Sequence, residues 1–194
     1  MAIAPQTTSA ETLTYEDYMA EGEINRRYDI LDGVRIYMTN PTRRHQRILG
    51  NIYILLRNYE FASGWGQALM APCDVLIRRN PLRTRQPDVL FISNAQLARC
   101  GDPADPAPLE AAPELVVEIL SPTETRAIRS DKLADYQSVG VQECWVVSPD
   151  TQTVEVLRLT PELVESVATY ENDQTLRSVV FPDLTVPVAE MFAS

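Results

Sequence analysis

Residues 114–148 constrain the fold more than any other stretch of this chain. In ELVVEIL (114–120), Leu115, Val117 and Ile119 alternate with Glu114, Val116, Glu118 and Leu120, so both faces are largely apolar. A strand of that kind must be covered on both sides, which makes it central and parallel to a neighbour. A helix is predicted next, starting at SPTE (121–124) with Thr123 as N-cap and running to about 139, where Gly140 ends it. QECWVVS (142–148) is the following strand. Strand, helix and strand make one crossover unit.

The flanking segments extend this frame. LTYEDYMA (13–20) reads as a short helix, and RYDIL (27–31) and VRIYM (34–38) flank Asp32-Gly33, a turn pair that tolerates positive φ, as in a hairpin. Ile48, Leu49, Ile52, Leu55, Leu56 and Tyr59 form a 3.6-residue stripe that predicts a helix over about 43–61. GQALMAP and CDVLIRR (66–79) supply one or two strands, and PDVLFI (87–92) another. CGDPADPAPLEAAP (100–113) is expected to be a surface loop. TVEVLRL, ELVESVATY and LRSVVF read as antiparallel strands, and VPVAEMFA as a last short helix. The expected class is α/β (α+β): a mixed β-sheet flanked by helices, with extra antiparallel strands at the C-terminus. A chain of 194 residues is expected to form one domain, over 13–194, behind a disordered lead at 1–12.

The N-terminus lacks the basic start and apolar stretch of a secretory signal, and no apolar run approaches a membrane span. Cys73, Cys100 and Cys144 are odd in number and far apart, and read as free thiols. These features predict a cytoplasmic protein without a membrane partner. The net charge of −10 argues against indiscriminate binding to a polyanion, but the charge is unevenly spread. Residues 24–87 carry eleven arginines against Asp29, Asp32, Glu60 and Asp74, a net of +7, whereas residues 88–194 carry a net of −12. A basic segment inside an acidic chain can hold a phosphate backbone locally; the same arginines are also compatible with a solvated surface.

Two acids interrupt apolar strands. Glu118 sits where little water is expected, and a bare carboxylate there costs several kcal/mol unless it is protonated, paired or metal-bound. Asp88 follows Pro87 at the start of a strand, a position also common for a turn-forming acid. Two carboxylates on adjacent strands repel unless a cation lies between them, and such oxygen donors suit Mg²⁺ or Mn²⁺. Asp29 shares a strand face with Arg27 and Leu31; it reads equally as a third acid of the site or as a surface acid paired to an arginine. His45, the only histidine, opens the long helix and could contact phosphate or relay a proton, or simply be solvated. Lys132 is the only lysine beside sixteen arginines. Unlike Arg, it is a compact charge that can orient a water or lose its proton when desolvated. Eight residues of helix from Glu124 return the chain by about 12 Å, which brings an inward Lys132, on a face with Ile128, Leu133 and Tyr136, toward Glu118. No Gly-rich phosphate loop, nucleophile elbow or Cys–His pairing is present.

RYDILDG, the His45-bearing helix, QPDVLF, PELVVEILSP, DKLADYQSVGVQECWVV and the closing strands together resemble a large bacterial family of restriction-endonuclease-like proteins, abundant in cyanobacteria, within the PD-(D/E)XK nuclease superfamily. The resemblance covers about residues 13–192. It implies a restriction-endonuclease-like fold and an endonuclease that hydrolyses DNA phosphodiester bonds. Asp88 and Glu118 would hold Mg²⁺ or Mn²⁺, and Asp29 stands in the place of an early acid that is usually Glu. Leu120 occupies the position where many relatives carry the catalytic Lys, and the resemblance implies that Lys132 takes that role; Tyr136 also matches. Val34 and Ile128 depart from the family pattern, where acids are common. Arg43, Arg44, His45, Arg47 and Arg85, with Arg78, Arg79 and Arg83, are the expected DNA-backbone contacts, and a homodimer or higher homo-oligomer is the expected assembly. The alternative is a nuclease-fold module that binds nucleic acid or protein with weak chemistry or none.

Overall fold

The computed structural model describes residues 12–22, 24, 26–102, 107–122, 124–181 and 183–193. The expected N-terminal lead lies, apart from Thr12, outside the described residues, as does Thr123. In chain order the elements are α1 (Tyr15–Glu21), β1 (Tyr28–Leu31), β2 (Val34–Tyr37), α2 (Arg43–Ser63), β3 (Gly66–Met70), β4 (Val75–Arg78), β5 (Arg83–Arg85), β6 (Val89–Ser93), α3 (Asn94–Leu97) and β7 (Leu115–Ile119). Then follow α4 (Arg126–Val139), β8 (Glu143–Ser148), β9 (Thr153–Leu159), β10 (Val164–Tyr170), β11 (Thr175–Arg177), β12 (Thr185–Pro187) and α5 (Val188–Met191).

Among the described residues the strands form three sheets rather than one. The main sheet has the order β10-β9-β8-β7-β6-β3, a second has β2-β1-β5-β4, and β11 pairs only with β12. β7 is central, parallel to β8 and antiparallel to β6, so the strand with two apolar faces lies where its pattern requires. Leu115, Val117 and Ile119 pack into a core with Ile48, Leu49, Ile52 and Leu56 of α2. Val116 points the other way, into a core with Tyr136 of α4, Cys144 and Val146. Full burial of a side chain such as Ile52 or Leu56 contributes about 2 kcal/mol.

Local chemistry sets the ends of these elements. Asp32 and Gly33 have φ of 52° and 81°, and they close the β1–β2 hairpin as its turn pair demands. Thr42 accepts from the His45 N–H and starts α2. α4 starts later than expected: Thr125 is the N-cap, accepting from the Ile128 N–H, and Gly140 ends the helix in the left-handed conformation. The segment 100–113 is less superficial than its composition suggests. Leu109 bridges Val75 and is half-buried, and Pro108 and Ala111 are buried. β8 is tied to the C-terminal segment by Glu143, whose carboxylate accepts from Trp145 Nε1 at 2.5 Å, Ser178 Oγ at 2.6 Å and the N–H groups of Val179 and Val180 at 3.0 Å.

Candidate active site

Asp88 and Glu118 meet because of strand register. β6 and β7 pair Val89 with Val117, and Asp88 and Glu118 lie one step beyond that last pair. Backbone bonds hold that step. The Asp88 N–H donates to the Val117 carbonyl at 3.1 Å, and the Ile119 N–H donates to Asp88 Oδ2 at 2.8 Å. Asp88 thus grips β7 on both sides of Glu118, and both carboxylates are buried.

α4 completes the pair from above. Lys132 Nζ donates to Glu118 Oε2 at 2.6 Å, and the Tyr136 hydroxyl donates to Oε1. Lys132 also lies 3.5 Å from Glu124 Oε2. The predicted return of the helix onto Glu118 therefore holds, although Ile128 is 46% exposed and does not share the inward face as expected. Asp88 is covered from β1 and α2. Arg27 Nη1 reaches Asp88 Oδ1 at 2.7 Å, and His45 Nε2 lies 3.4 Å from Oδ2.

The charges are strongly coupled. Burial pushes the Glu118 carboxyl above the ordinary glutamate value and the Asp88 charge adds to the rise, against the pull of Lys132. Burial would also raise Asp88, but His45, the Arg27 charge and the Ile119 N–H bring it below the ordinary aspartate value. Desolvation by itself would lower Lys132; the charges of Glu118 and Glu124 and the bond to Glu118 reverse that, and its pKa is raised. Lys132 is therefore a fixed cation rather than a lysine prepared to lose its proton.

Asp29 is buried, and it is paired to an arginine. Its Oδ2 accepts from Arg85 Nη1 at 2.8 Å and its Oδ1 from the Gln86 N–H at 3.1 Å. Its charge still helps raise Lys132, so it lies close to the site. The expectation that Arg85 contacts DNA is corrected. Arg85 is 2% exposed, and its guanidinium is taken up by Asp29, Asp131 and Asp135. Arg83 joins the same network through Asp135 at 2.7 Å and Asp131 at 2.6 Å. Arg78 pairs with Asp32, and Arg79 with Glu110. Arg43, Arg44 and Arg47 do lie on the surface, where with Ile48, Gln152 and Phe192 they line a cleft of about 320 Å³. Arg44 is engaged there by Asp150 and the Pro149 carbonyl.

Sequence reasoning missed Arg27 as a site residue, as well as Glu124 and the pair Asp131 and Asp135. Only Arg27 left a signal: alternation puts it on the strand face of Asp29. Among the described residues, no group of three or more His, Cys, Asp or Glu side chains is arranged to hold a metal ion. Asp88 and Glu118 supply two hard oxygen donors. That fits a Mg²⁺-type ion, which uses one or two carboxylates and fills its shell with water and substrate phosphate. No helix among the described residues is long and apolar enough to cross a membrane.

A family model described as "Uma2: Putative restriction endonuclease" matches residues 14–189. Among solved structures, a protein titled "putative nuclease belonging to DUF820", from Anabaena variabilis ATCC 29413, superposes with a TM-score of 0.74 at 18% sequence identity. The match covers 93% of this chain and 97% of that one. The likeness is one of fold, the restriction-endonuclease-like architecture. No curated protein matches the chain.

Proposed function

The chain belongs to the Uma2 family, and from that premise we propose that it is a metal-dependent endodeoxyribonuclease that hydrolyses DNA phosphodiester bonds. The observation that carries the reading is the grip of Asp88 on β7 at Val117 and Ile119, on either side of Glu118, with Lys132 Nζ 2.6 Å from Glu118. Asp88 and Glu118 would hold Mg²⁺ or Mn²⁺. Such an ion, when bound, polarises the scissile phosphate and lowers the pKa of a coordinated water.

The remaining work falls to the chain's own groups. Lys132, protonated and fixed by Glu118 and Glu124, orients the attacking water and stabilises the charge that develops on the phosphate. Tyr136 fixes the Glu118 carboxylate by donating to its other oxygen. Arg43 and Arg47 hold the DNA backbone along the cleft they line, contacts that position a strand without reading its sequence. Asp29 acts through its charge on Lys132 and through Arg85, which ties β1 to α4.

Calorimetric titration of Mn²⁺ and Mg²⁺ into wild type and Glu118→Gln tests this reading. Micromolar to millimolar binding that the substitution abolishes supports it. No binding to wild type, with or without a short duplex, overturns it. That second result would favour a module that binds without cutting. Such a reading has its own support in the way Arg27, Lys132 and Tyr136 already satisfy both carboxylates.

A further inference from the structure

Arg27 reaches the site from the residue before β1. Its Nη1 sits 2.7 Å from Asp88 Oδ1, and its Nη2 donates to the Gln86 carbonyl at 3.0 Å. Its Nε is buried without a hydrogen-bond partner. The two site cations are held differently. Lys132 is anchored by two acids, Glu118 and Glu124. Arg27 rests on one carboxylate oxygen and one carbonyl, with its side chain 20% exposed.

Two physical consequences follow. A guanidinium on Asp88 places a full positive charge where a divalent cation would bind, and like charges at that range repel. The guanidinium also presents a planar fork that suits phosphate as well as carboxylate. In the present arrangement one donor of that fork is unsatisfied, at a cost that a phosphate oxygen would remove.

We propose that Arg27 is a substrate-coupled counter-ion. In the free protein it occupies Asp88 and weakens metal binding there. When DNA arrives, it transfers to a non-bridging phosphate oxygen and leaves Asp88 to the metal. Metal and DNA then bind with positive coupling, each favouring the other. This inference rests on the reading of Asp88 and Glu118 given above.

The test measures two affinities separately on wild type, Arg27→Gln and Arg27→Lys: Mn²⁺ by calorimetry without DNA, and a short duplex by fluorescence anisotropy in chelator. Loss of the charge in Arg27→Gln should tighten Mn²⁺ binding by about tenfold. The same substitution should weaken the duplex and reduce its salt slope by about one. Arg27→Lys keeps the charge and should keep Mn²⁺ binding weak. Denaturant unfolding checks that both variants are folded. A general loss of structure would weaken both affinities, whereas the counter-ion moves them in opposite directions. Equal Mn²⁺ binding by wild type and Arg27→Gln overturns the counter-ion and leaves the metal site standing. Absence of Mn²⁺ binding from all three proteins, even with duplex added, overturns the metal site and the counter-ion with it.

Discussion

Lys132 and Glu118 are joined across 2.6 Å, although fourteen residues separate them in the chain. The contact exists because β7 carries Glu118 outward and α4 folds back over the sheet, two helical turns inside its start. Burial, and after it the Asp88 charge, raises Glu118, while the charges of Glu118 and Glu124 raise Lys132 against its own desolvation.

In the proposed reaction, a cation fixed beside the attacking water acts mainly in the transition state. Lys132→Ala is therefore expected to lower single-turnover cleavage of duplex DNA by about 10²–10³-fold while Mn²⁺ binding persists. Lys132→Arg should not restore the rate, because a planar fork cannot occupy the position of a compact ammonium. Cleavage by Lys132→Ala at the wild-type rate would remove Lys132 from the chemistry.

The arginines divide into two classes that mutation should separate. Arg85 is enclosed by Asp29, Asp131 and Asp135; Arg83 also reaches the last two, so Arg85→Ala leaves buried Asp29 without its arginine and should cost about 3–5 kcal/mol of stability. Arg47 lies on the cleft surface, and Arg47→Ala should leave stability within about 0.5 kcal/mol of wild type. Its effect should be on DNA affinity, with the salt slope reduced by about one. Urea unfolding and anisotropy titrations at several salt concentrations measure both. The reverse pattern would return Arg85 to the DNA-contacting set.

Glu143 fastens β8 to the segment around Ser178 by accepting three hydrogen bonds from it, and accepts a fourth from Trp145 within β8. An amide at that position turns one end of the group into a donor facing other donors. Glu143→Gln should destabilise the protein by about 1–3 kcal/mol, read from the shift of the urea midpoint. Unchanged stability would mean that the segment is held by its apolar contacts alone.

The lowered value at Asp88 makes stability depend on pH in a known direction. A carboxyl whose folded pKa lies below its unfolded one binds its proton more weakly in the native state. Its contribution is present above the ordinary carboxylate range and is lost as the pH falls through the lowered folded value. Glu118, raised, acts with the opposite sign, so the comparison is best made in a Glu118→Gln background. There, Asp88→Asn should be less stable than its parent near neutral pH and converge on it under acid. Parallel stability–pH curves for the two proteins would contradict this.

Much of the frame was legible before any coordinates. The alternation of Leu115, Val117 and Ile119 against Val116 named a central strand with two cores, and it has two. The α2 stripe, the Asp32-Gly33 turn and the Gly140 stop were equally direct. β5 was not. Arg83-Thr84-Arg85 reads as a polar run, and it becomes a buried strand only because β1 and β4 flank it and acids from β1 and α4 neutralise it. Arg85 therefore looked like a surface cation although its charge is used inside the protein. Arg27 was overlooked for the same reason, since its partner Asp88 is 61 residues away.

What the sequence determined by itself were most of the elements, most of their faces and the two strand acids. Those depend on burial periodicity and on backbone sterics, which act between near neighbours in the chain. Only the tertiary structure decided which cation meets which acid: Lys132 on Glu118, Arg27 on Asp88, and Arg85 among Asp29, Asp131 and Asp135. The strength of an ion pair depends on distance and desolvation, and both are fixed by strand register and helix return rather than by separation along the chain.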